Sequence, residues 1–288
     1  MKILITGASG LVGRACQRIA FSENHSLSIV SSKSPINIET NYYARIEQID
    51  KSEVFDLLIH SASATPNNSK FDEIKSINRI IDQDLCDLIK RASVKHVIYI
   101  SSMAIYGNID SSKIDETHLP NSPNKYGESK FYGETITANT CRERGTKCSV
   151  LRLPGVISQG MPSVFFKRAV ANIACGDATT IRSNDSLFNN CVYVDDIYDT
   201  CISLYKNQNE SSLVLNQHSK DIVRLYDLLN YIGKSLNKSP YIIESTMCNP
   251  SFLIENKSYD ELLKTRTVYD AIDSFFSNYE IRASGSNL

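Results

Sequence analysis

Apolar residues follow two different spacings along this chain, and the two spacings alternate. Short segments rich in apolar residues, typical of buried strands, predict strands over residues 2–6, 27–31, 45–49, 56–60, 96–100 and 148–153. Apolar residues at helical spacing predict a helix over residues 71–92, and further helices are predicted over residues 11–21, 126–144, 163–174, 196–206, 221–236 and 267–277. Strands that alternate with helices in this way favour an α/β fold with a doubly wound parallel sheet.

The alternation is regular as far as Leu153 and loosens after Pro154. Residues 1–155 are therefore predicted to form one sheet-containing domain, to which parts of residues 156–215 return. Residues 156–288 are predicted to form mainly a smaller, loop-rich lobe. A chain of 288 residues, 42% of them hydrophobic, is long enough to bury one large core and a smaller lobe beside it.

Three glycines stand where the first predicted strand turns into the first helix. Gly7, Gly10 and Gly13 follow the first apolar run, and Leu11 and Val12 open the helix. Glycine lets the backbone turn sharply and approach a ligand closely. Free N–H groups and the positive end of the helix dipole at such a turn favour an anion. This placement predicts a site for the pyrophosphate of a dinucleotide.

A second group of polar residues belongs to two later elements. Ser102 follows the predicted strand 96–100, and the carboxyl end of a parallel strand faces the ligand crevice of an open α/β sheet. Tyr126 and Lys130 lie four residues apart in a predicted helix, so their side chains share one face. We therefore expect a serine hydroxyl, a phenol and an ammonium close to the glycine turn.

Six motifs, in this order and spacing, resemble the extended short-chain dehydrogenase/reductase family of nucleotide-sugar epimerases, dehydratases and ketoreductases. They are the glycine motif Gly7–Gly13, His60–Ser63, Ser101–Gly107, Tyr126–Lys130, Leu151–Val156 and Val192–Asp196. The resemblance spans nearly the whole chain. It implies an α/β, Rossmann-like doubly wound parallel sheet with a smaller C-terminal substrate lobe. It also implies that residues 1–155 bind the dinucleotide and that residues 156–288 mainly bind substrate.

The resemblance implies three catalytic residues. Hydride transfer between a nicotinamide and a carbonyl carbon requires a proton to move to or from the oxygen, and Tyr126 is predicted to carry it. The ammonium of Lys130 and the positive charge of an oxidised nicotinamide are expected to lower the pKa of that phenol. Lys130 is also expected to hold the ribose hydroxyls, and Ser102 to orient the reacting oxygen.

The predicted cofactor set combines the glycine turn with positions that match the family. It comprises Gly7, Gly10, Leu11, Val12, Gly13, Ser31, Ser32, Lys33, Asp50, Ser61, Ala62, Ser63, Asn78, Tyr126, Lys130 and Pro154. A carboxylate at the end of the second strand holds the ribose hydroxyls of NAD and repels a 2′-phosphate. Ser31, Ser32 and Lys33 supply hydroxyls and a positive charge there instead. NADP(H) is therefore favoured over NAD(H).

Within the family, the residues after Ser102 separate the reactions. The 4,6-dehydratases carry an Asp-Glu pair there, and this chain carries Met103 and Ala104, which disfavours dehydration. We predict NADPH-dependent reduction of a keto group on a nucleotide-linked 4-keto-6-deoxy sugar. One alternative is an NAD(P)-dependent nucleotide-sugar 4-epimerase. A second is a non-catalytic cofactor-sensing regulator, although such proteins typically lose the tyrosine or lysine that is kept here.

The substrate side departs from the family pattern. Gly155 stands where similar epimerases carry an asparagine, Asn189 stands where they carry an arginine, and residues 244–255 contain no arginine. Arg182, Lys167 and Arg168 are candidates to bind the diphosphate in their place. The predicted substrate residues are Met103, Ala104, Gly155, Arg182 and Asn189.

Composition excludes several other classes of protein. A formal net charge of −1 offers no basic surface for nucleic acid. No apolar run approaches the roughly 18 residues of a membrane span. The eight cysteines contain no C-x-x-C pair and are expected to be reduced thiols, the five histidines lack metal-ligand spacing, and no metal is predicted. We expect a cytoplasmic protein, and the resemblance implies a homodimer through helices 71–92 and 126–144.

Overall fold

The structure is a computed structural model that describes residues 1–33, 40–66, 69–70, 72–162, 165–247 and 251–283. Its strands are β1 (Lys2–Thr6), β2 (Ser26–Val30), β3 (Asn41–Tyr43), β4 (Val54–His60), β5 (Ser93–Ser102), β6 (Lys113–Ile114), β7 (Lys147–Leu153), β8 (Gly155–Ile157), β9 (Ala178–Ile181), β10 (Leu187–Phe188), β11 (Cys191–Tyr193), β12 (Ser212–Asn216), β13 (Val223–Arg224), β14 (Tyr241–Glu244) and β15 (Leu253–Ile254). Its α-helices are α1 (Leu11–Ser22), α2 (Ile74–Arg91), α3 (Lys125–Arg144), α4 (Phe165–Cys175), α5 (Val194–Asn207), α6 (Leu225–Ser235) and α7 (Val268–Ala283). The predicted helix starts at Phe71 and Ser163 lie outside the described residues.

Seven strands form one parallel sheet in the spatial order β3-β2-β1-β4-β5-β7-β12. The chain builds outward from β1 to β3 and then crosses back to place β4 on the other side of β1. The carboxyl ends of β1 and β4 therefore flank the point where the strand order reverses, which is where open α/β sheets bind ligands. The sheet and its flanking helices confirm the predicted Rossmann-like α/β fold.

The two faces of the sheet bury two separate apolar cores, because successive side chains of a strand point to opposite faces. Ile3 and Ile5 of β1 pack on the side of α1 and α5, whereas Leu4 between them packs on the side of α2. Helices α2 and α3 cover this second face together, and Leu85 of α2 and Cys141 of α3 belong to its core. The pairing of α2 with α3 brings Asn78 and Asp82 of α2 close to residues of α3.

The predicted strand at residues 45–49 is wrong. Residues Ile46–Gln48 form a 3-10 turn, and the third strand lies earlier, at β3. Ile46 and Ile49 are three residues apart, a spacing that places both on one side of a 3-10 turn, and both are buried in the core beside α2. Arg91, the last residue of α2, donates to the carbonyl oxygens of Ile46 (2.6 Å) and Ile49 and holds this turn.

One strand of the sheet and most of the C-terminal pairings were not predicted. β12 adds to the edge of the sheet through β7. Outside the main sheet, the described residues form four two-stranded pairs, which join β8 with β11, β9 with β14, β10 with β13 and β6 with β15. The pairing of β6 with β15 places residues 253–254 beside the segment that follows β5. Among the described residues, no helix is both long and apolar enough to cross a lipid bilayer.

Candidate active site

The glycine turn between β1 and α1 touches the segment that follows β4. Gly7 has a φ of +68°, and a Cβ atom on it would lie 2.5 Å from the Ala62 backbone. A Cβ atom on Gly13 would lie 2.2 Å from the Gly7 carbonyl oxygen. A side chain at Gly7 would push the glycine turn away from the segment after β4, and a side chain at Gly13 would collide with the backbone of Gly7. Gly10 precedes α1 and makes no side-chain cap, so the first turn of the helix can meet an anion.

Asn78 of α2 fixes the segment that leaves β4. Its amide oxygen accepts from the Ala64 N–H (2.6 Å) and the Ser63 hydroxyl (3.2 Å). Its amide nitrogen donates to the Ala64 carbonyl (3.0 Å) and to the Ser129 hydroxyl (2.8 Å) of α3. Because both atoms of the amide are used within the protein, Asn78 positions Ser63 rather than offering its own side chain to a cofactor. Ser61, nearby, donates to the Thr6 carbonyl oxygen (2.7 Å).

The structure brings the three predicted catalytic residues together at the carboxyl edge of the sheet. Ser102 ends β5 and accepts from the Ala104 N–H (3.2 Å), which starts a short 3-10 turn. Tyr126 lies in the first turn of α3, and Asn124 caps that helix by accepting from the Gly127 N–H (2.9 Å). The hydroxyl of Tyr126 is hydrogen-bonded to the hydroxyls of both Ser63 and Ser102.

The pKa of Tyr126 moves in the direction opposite to that expected from the sequence. Burial in the crevice raises the pKa of the phenol above its ordinary value, against the hydrogen bonds from Ser63 and Ser102, which lower it. Desolvation outweighs those hydrogen bonds. The phenol is therefore protonated at neutral pH, as a proton donor must be.

Lys130 lies one helical turn further along α3 and is 2% exposed. Its ammonium sits 4.1 Å from the centre of the Tyr99 ring. Burial lowers the pKa of Lys130 to about 8, and the negative charges of Asp82 and Glu134 oppose that shift. Most Lys130 side chains therefore still carry a positive charge at pH 7.

At the end of β2, the predicted nucleotide-selecting residues form a short turn. The Ser31 hydroxyl accepts from the Lys33 N–H (3.1 Å), and Tyr42 donates to the Ser31 carbonyl oxygen (3.0 Å). Ser31 is buried by this turn, whereas Ser32 and Lys33 are exposed beside the crevice. A hydroxyl and an ammonium are thus available at the position where an NAD-specific site carries an acid.

Asp50, included in the predicted cofactor set, lies at the opposite edge of the sheet. It follows the 3-10 turn that Arg91 holds and precedes the start of β4, where Glu53 accepts from the Ser93 N–H at the start of β5. Its carboxylate is exposed and accepts from Ser52. The short connection between β3 and β4 returns the chain to the amino edge before Asp50, so the sequence match misplaced it.

The predicted substrate residues divide into those near the crevice and one that is used elsewhere. Met103 and Ala104 lie directly after Ser102, and Gly155 begins β8 after Pro154 at the end of β7. The amide of Asn189 is buried, where it donates to the Ile254 carbonyl (2.7 Å) and accepts from the Ile254 N–H (2.9 Å).

Arg182, the remaining predicted substrate residue, follows β9 and is exposed. Its guanidinium donates to the Thr246 carbonyl oxygen at 3.3 Å. Asn189 therefore anchors β15, and Arg182 retains a charge on the surface of the lobe.

A buried polar cluster under Lys130 was missed from the sequence. Asp82 of α2 accepts from the Tyr99 hydroxyl (3.0 Å), and His60 of β4 stacks on the Tyr99 ring with centroids 5.4 Å apart. The sequence signal for this cluster was the presence of Asn78 and Asp82 among apolar residues on the buried face of α2. Polar residues on a buried helix face point to a satisfied network or a functional one.

Comparisons with known proteins agree with this geometry. The family model described as "NAD dependent epimerase/dehydratase family" matches residues 3–216. A "Putative UDP-glucose 4-epimerase" of Methanocaldococcus jannaschii is 22% identical over 80% of this chain and 81% of its own length. An undecaprenol-linked N-acetylglucosaminyl 4-epimerase of Escherichia coli O157:H7 is 24% identical over 82% of this chain and 72% of its own.

The fold is shared with solved structures at lower identity. A UDP-glucuronic acid 4-epimerase from Bacillus cereus, solved in complex with NAD, superposes with a TM-score of 0.79 and 20% identity. The match covers 100% of this chain and 99% of that one. The motifs, the strand order and the matched family model agree, and the chain belongs to the NAD dependent epimerase/dehydratase family of extended short-chain enzymes.

Proposed function

We propose that this protein reduces the keto group of a nucleotide-linked 4-keto-6-deoxy sugar with NADPH. The observation that carries the proposal is the Tyr126 hydroxyl, which is hydrogen-bonded to Ser63 and Ser102 while burial raises the pKa of the phenol. A phenol that is protonated at neutral pH suits the reductive direction, because reduction of a carbonyl consumes a proton.

The residues of the crevice fit a nicotinamide dinucleotide. Gly7 and Gly13 let the turn between β1 and α1 fold tightly, and the uncapped first turn of α1 suits an approaching pyrophosphate. A bound dihydronicotinamide supplies the hydride for the carbonyl carbon. Tyr126 gives its hydroxyl proton to the carbonyl oxygen, Ser102 donates a hydrogen bond to that oxygen, and Lys130 holds the ribose hydroxyls.

The preference for NADPH rests on the turn at the end of β2. Ser32 and Lys33 are exposed there and can bind a 2′-phosphate through charge-assisted hydrogen bonds. An exchangeable NADPH suits net reduction, whereas an epimerase keeps its cofactor bound through the cycle. Met103 and Ala104 lack the carboxylate pair that dehydration uses.

The second candidate is an NAD(P)-dependent nucleotide-sugar 4-epimerase. It is favoured by the relatives, since both curated relatives described above are named as 4-epimerases. The same Ser102, Tyr126 and Lys130 would serve it. The difference lies in the cofactor, which an epimerase regenerates within each turnover.

A stoichiometric assay separates the two candidates. The purified protein is incubated with NADPH and a 4-keto-6-deoxy nucleotide sugar, and the nicotinamide absorbance is followed together with the product alcohol. We expect one NADPH consumed per alcohol formed, and no reaction above background in a Tyr126→Phe control. Interconversion of intact nucleotide sugars at C4 without net NADPH consumption would instead establish the epimerase.

Further parts of the proposal concern the substrate, the domains and the assembly. Met103, Ala104 and Gly155 are proposed to line the sugar site, and Arg182 to meet the diphosphate. Residues 1–155, with parts of 156–215, are proposed as the dinucleotide-binding domain and residues 156–288 as mainly the substrate lobe. The exposed Ile80 of α2 is consistent with a homodimer through α2 and α3. Seven free cysteines among the described residues are consistent with a cytoplasmic protein.

A further inference from the structure

Asp82 is a buried carboxylate that the proposed reaction does not use. It lies on the face of α2 that meets α3 and is 2% exposed. One carboxylate oxygen accepts from the Tyr99 hydroxyl (3.0 Å) and lies 3.4 Å from His60 Nε2. The other oxygen has no hydrogen-bond partner among the residues that the structure describes. An incompletely paired buried charge is costly, so its presence calls for a reason.

The backbone beside Asp82 leaves room for this carboxylate. A Cβ atom on Gly133 of α3 would lie 2.0 Å from the Tyr99 hydroxyl oxygen and 2.4 Å from the unpartnered oxygen of Asp82. Only glycine at this position lets the phenol and the carboxylate meet between the two helices. The Tyr99 ring then lies between Asp82, which its hydroxyl contacts, and Lys130, whose ammonium faces the ring at 4.1 Å from its centre.

Five titratable groups face Lys130 from the elements packed around it. They are Asp82 on α2, His60 on β4, Tyr99 on β5, and Tyr126 and Glu134 on α3. Burial raises the pKa of both tyrosines and lowers the pKa of His60, so these three groups are uncharged at neutral pH. The remaining two of the five groups are the carboxylates of Asp82 and Glu134.

The two carboxylates differ in how well their charges are compensated. Glu134 forms a bidentate pair with Arg152, with nitrogen–oxygen distances of 3.1 and 2.8 Å. Its negative charge is largely cancelled by that guanidinium. Asp82 has no such cation among its described partners. Its charge is therefore the one left to act on the Lys130 ammonium.

We propose that Asp82 is a positioning residue whose buried charge, acting across Tyr99, keeps Lys130 as an ammonium beside Tyr126. The inference rests on the proposed function, in which Lys130 must be charged to hold the ribose. The sign is fixed by chemistry, because a nearby negative charge favours the protonated form of an amine and burial favours the neutral form. With Asp82 neutralised, burial acts unopposed by that charge and Lys130 loses its proton at a lower pH.

The direct test is a titration of Lys130 in the whole protein. Lysine side chains are labelled with carbon-13 at Cε, and the Lys130 signal is assigned by its loss in Lys130→Arg. We expect a midpoint at about pH 8 in the unaltered protein. In Asp82→Asn the midpoint falls by about one pH unit or more. Asp87→Asn, an exposed neighbour on α2, leaves the midpoint unchanged.

A second variant guards against a folding defect. Asp82→Leu fills similar space without a charge, and such replacements of buried charges are often tolerated. We expect the same fall in the midpoint. A Lys130 midpoint that stays within about 0.3 pH units of the unaltered protein in either folded variant overturns the inference.

Cofactor affinity supplies a readout tied to function. A fall of the midpoint from about 8 to about 7 lowers the charged fraction at pH 8 about fivefold and leaves it nearly unchanged at pH 6. We expect Asp82→Asn to bind NADPH about fivefold more weakly at pH 8 and equally at pH 6. Equal weakening at both pH values would indicate a structural role and overturn the inference. Failure of the unaltered protein to bind any nicotinamide cofactor refutes the proposed function, and the titration still decides the coupling.

Discussion

Tyr126 is the residue on which the proposed reaction depends, and its surroundings suit a proton donor. Two serine hydroxyls hydrogen-bond its hydroxyl, one from the end of β5 and one from the segment after β4. They align the phenol, and burial keeps it protonated. Lys130, behind it in the same helix, carries the charge that can stabilise the phenolate once the proton has left.

Replacing Tyr126 with phenylalanine tests this assignment. We expect turnover to fall by about 10²-fold or more, since only the proton-transfer group is lost. NADPH affinity should stay nearly constant, whereas Lys130→Met should weaken it. Tyr132→Phe, on the same helix, is the matched control and should keep full activity. Unchanged turnover in Tyr126→Phe would remove this residue from the mechanism.

Nucleotide selection is also proposed to depend on single residues, Ser32 and Lys33. We expect NADPH to bind at least about tenfold more tightly than NADH, a difference of ~1.4 kcal/mol that one charged contact can supply. Ser32→Ala combined with Lys33→Ala should abolish that preference, measured by the fluorescence of the bound dinucleotides. Lys51→Ala, at the amino edge of the sheet, is the control. A preference that survives the double substitution contradicts the assignment.

At the scale of elements, the long periodic segments were predictable and the short ones were not. The helix α2 and the buried strands β1, β4 and β5 have strong apolar patterns, because each buries an apolar face. β3 has three residues and exposes most of them, so its pattern is weak. Ile46 and Ile49, buried from a 3-10 turn, produced a false strand in its place.

The residues of the candidate site also divide into those that could be predicted and those that could not. The glycine turn and the Ser102, Tyr126 and Lys130 set lie in motifs that resemble a known family, so they could be predicted. Asp82, Tyr99 and Gly133 come from three separate elements, and their meeting depends on how α2 packs against α3. Sequence spacing carries no information about such a contact. Asp50 was misplaced for the related reason that loop length decides to which sheet edge a residue returns.

The packing of α2 against α3 can be tested at Asn78. We expect Asn78→Leu to destabilise the protein by roughly 2–4 kcal/mol, since it removes four hydrogen bonds and leaves buried groups unpaired. Turnover should also fall, because Ser63 is no longer held beside Tyr126. Thermal unfolding and steady-state kinetics measure the two effects. Asn139→Ala, exposed on α3, should change stability by less than about 0.5 kcal/mol.

If turnover in Asn78→Leu matched that of the unaltered protein while stability fell, the role of Asn78 would be purely structural. Asn78 lies in the seam between α2 and α3. This seam carries Asn78 and Ser129 near the crevice and Asp82 and Gly133 one turn deeper. The same two helices thus position the candidate active site and hold the carboxylate that is proposed to support Lys130.

For the whole molecule, the sheet order gathers these parts at one edge. β1 supplies the glycine turn, β2 the nucleotide-selecting turn, β4 Ser63, and β5 Ser102, because all four strands are parallel and end at the same edge. The C-terminal pairs return to this edge through β6 and β15, which Asn189 anchors. Changes in that lobe are therefore expected to alter substrate choice more than cofactor binding.

The outer face of α2 and α3 is the proposed interface of a homodimer. Ile80 of α2 is 59% exposed and Phe131 of α3 is 40% exposed, although both side chains are apolar. If α2 and α3 pair with their copies, burial of these side chains contributes to a homodimer of twice 32.2 kDa. We expect Ile80→Asp to shift the protein to monomers in size-exclusion chromatography with light scattering.

The control for this prediction is Leu119→Asp, because Leu119 is 84% exposed in a loop away from α2. It should leave the dimer intact. In Ile80→Asp the catalytic residues still come from one chain, so a monomer that keeps cofactor binding would show that each subunit holds a complete dinucleotide site. An unaltered protein that elutes as a monomer at micromolar concentration would contradict the assembly, and the exposed Ile80 would then need another partner.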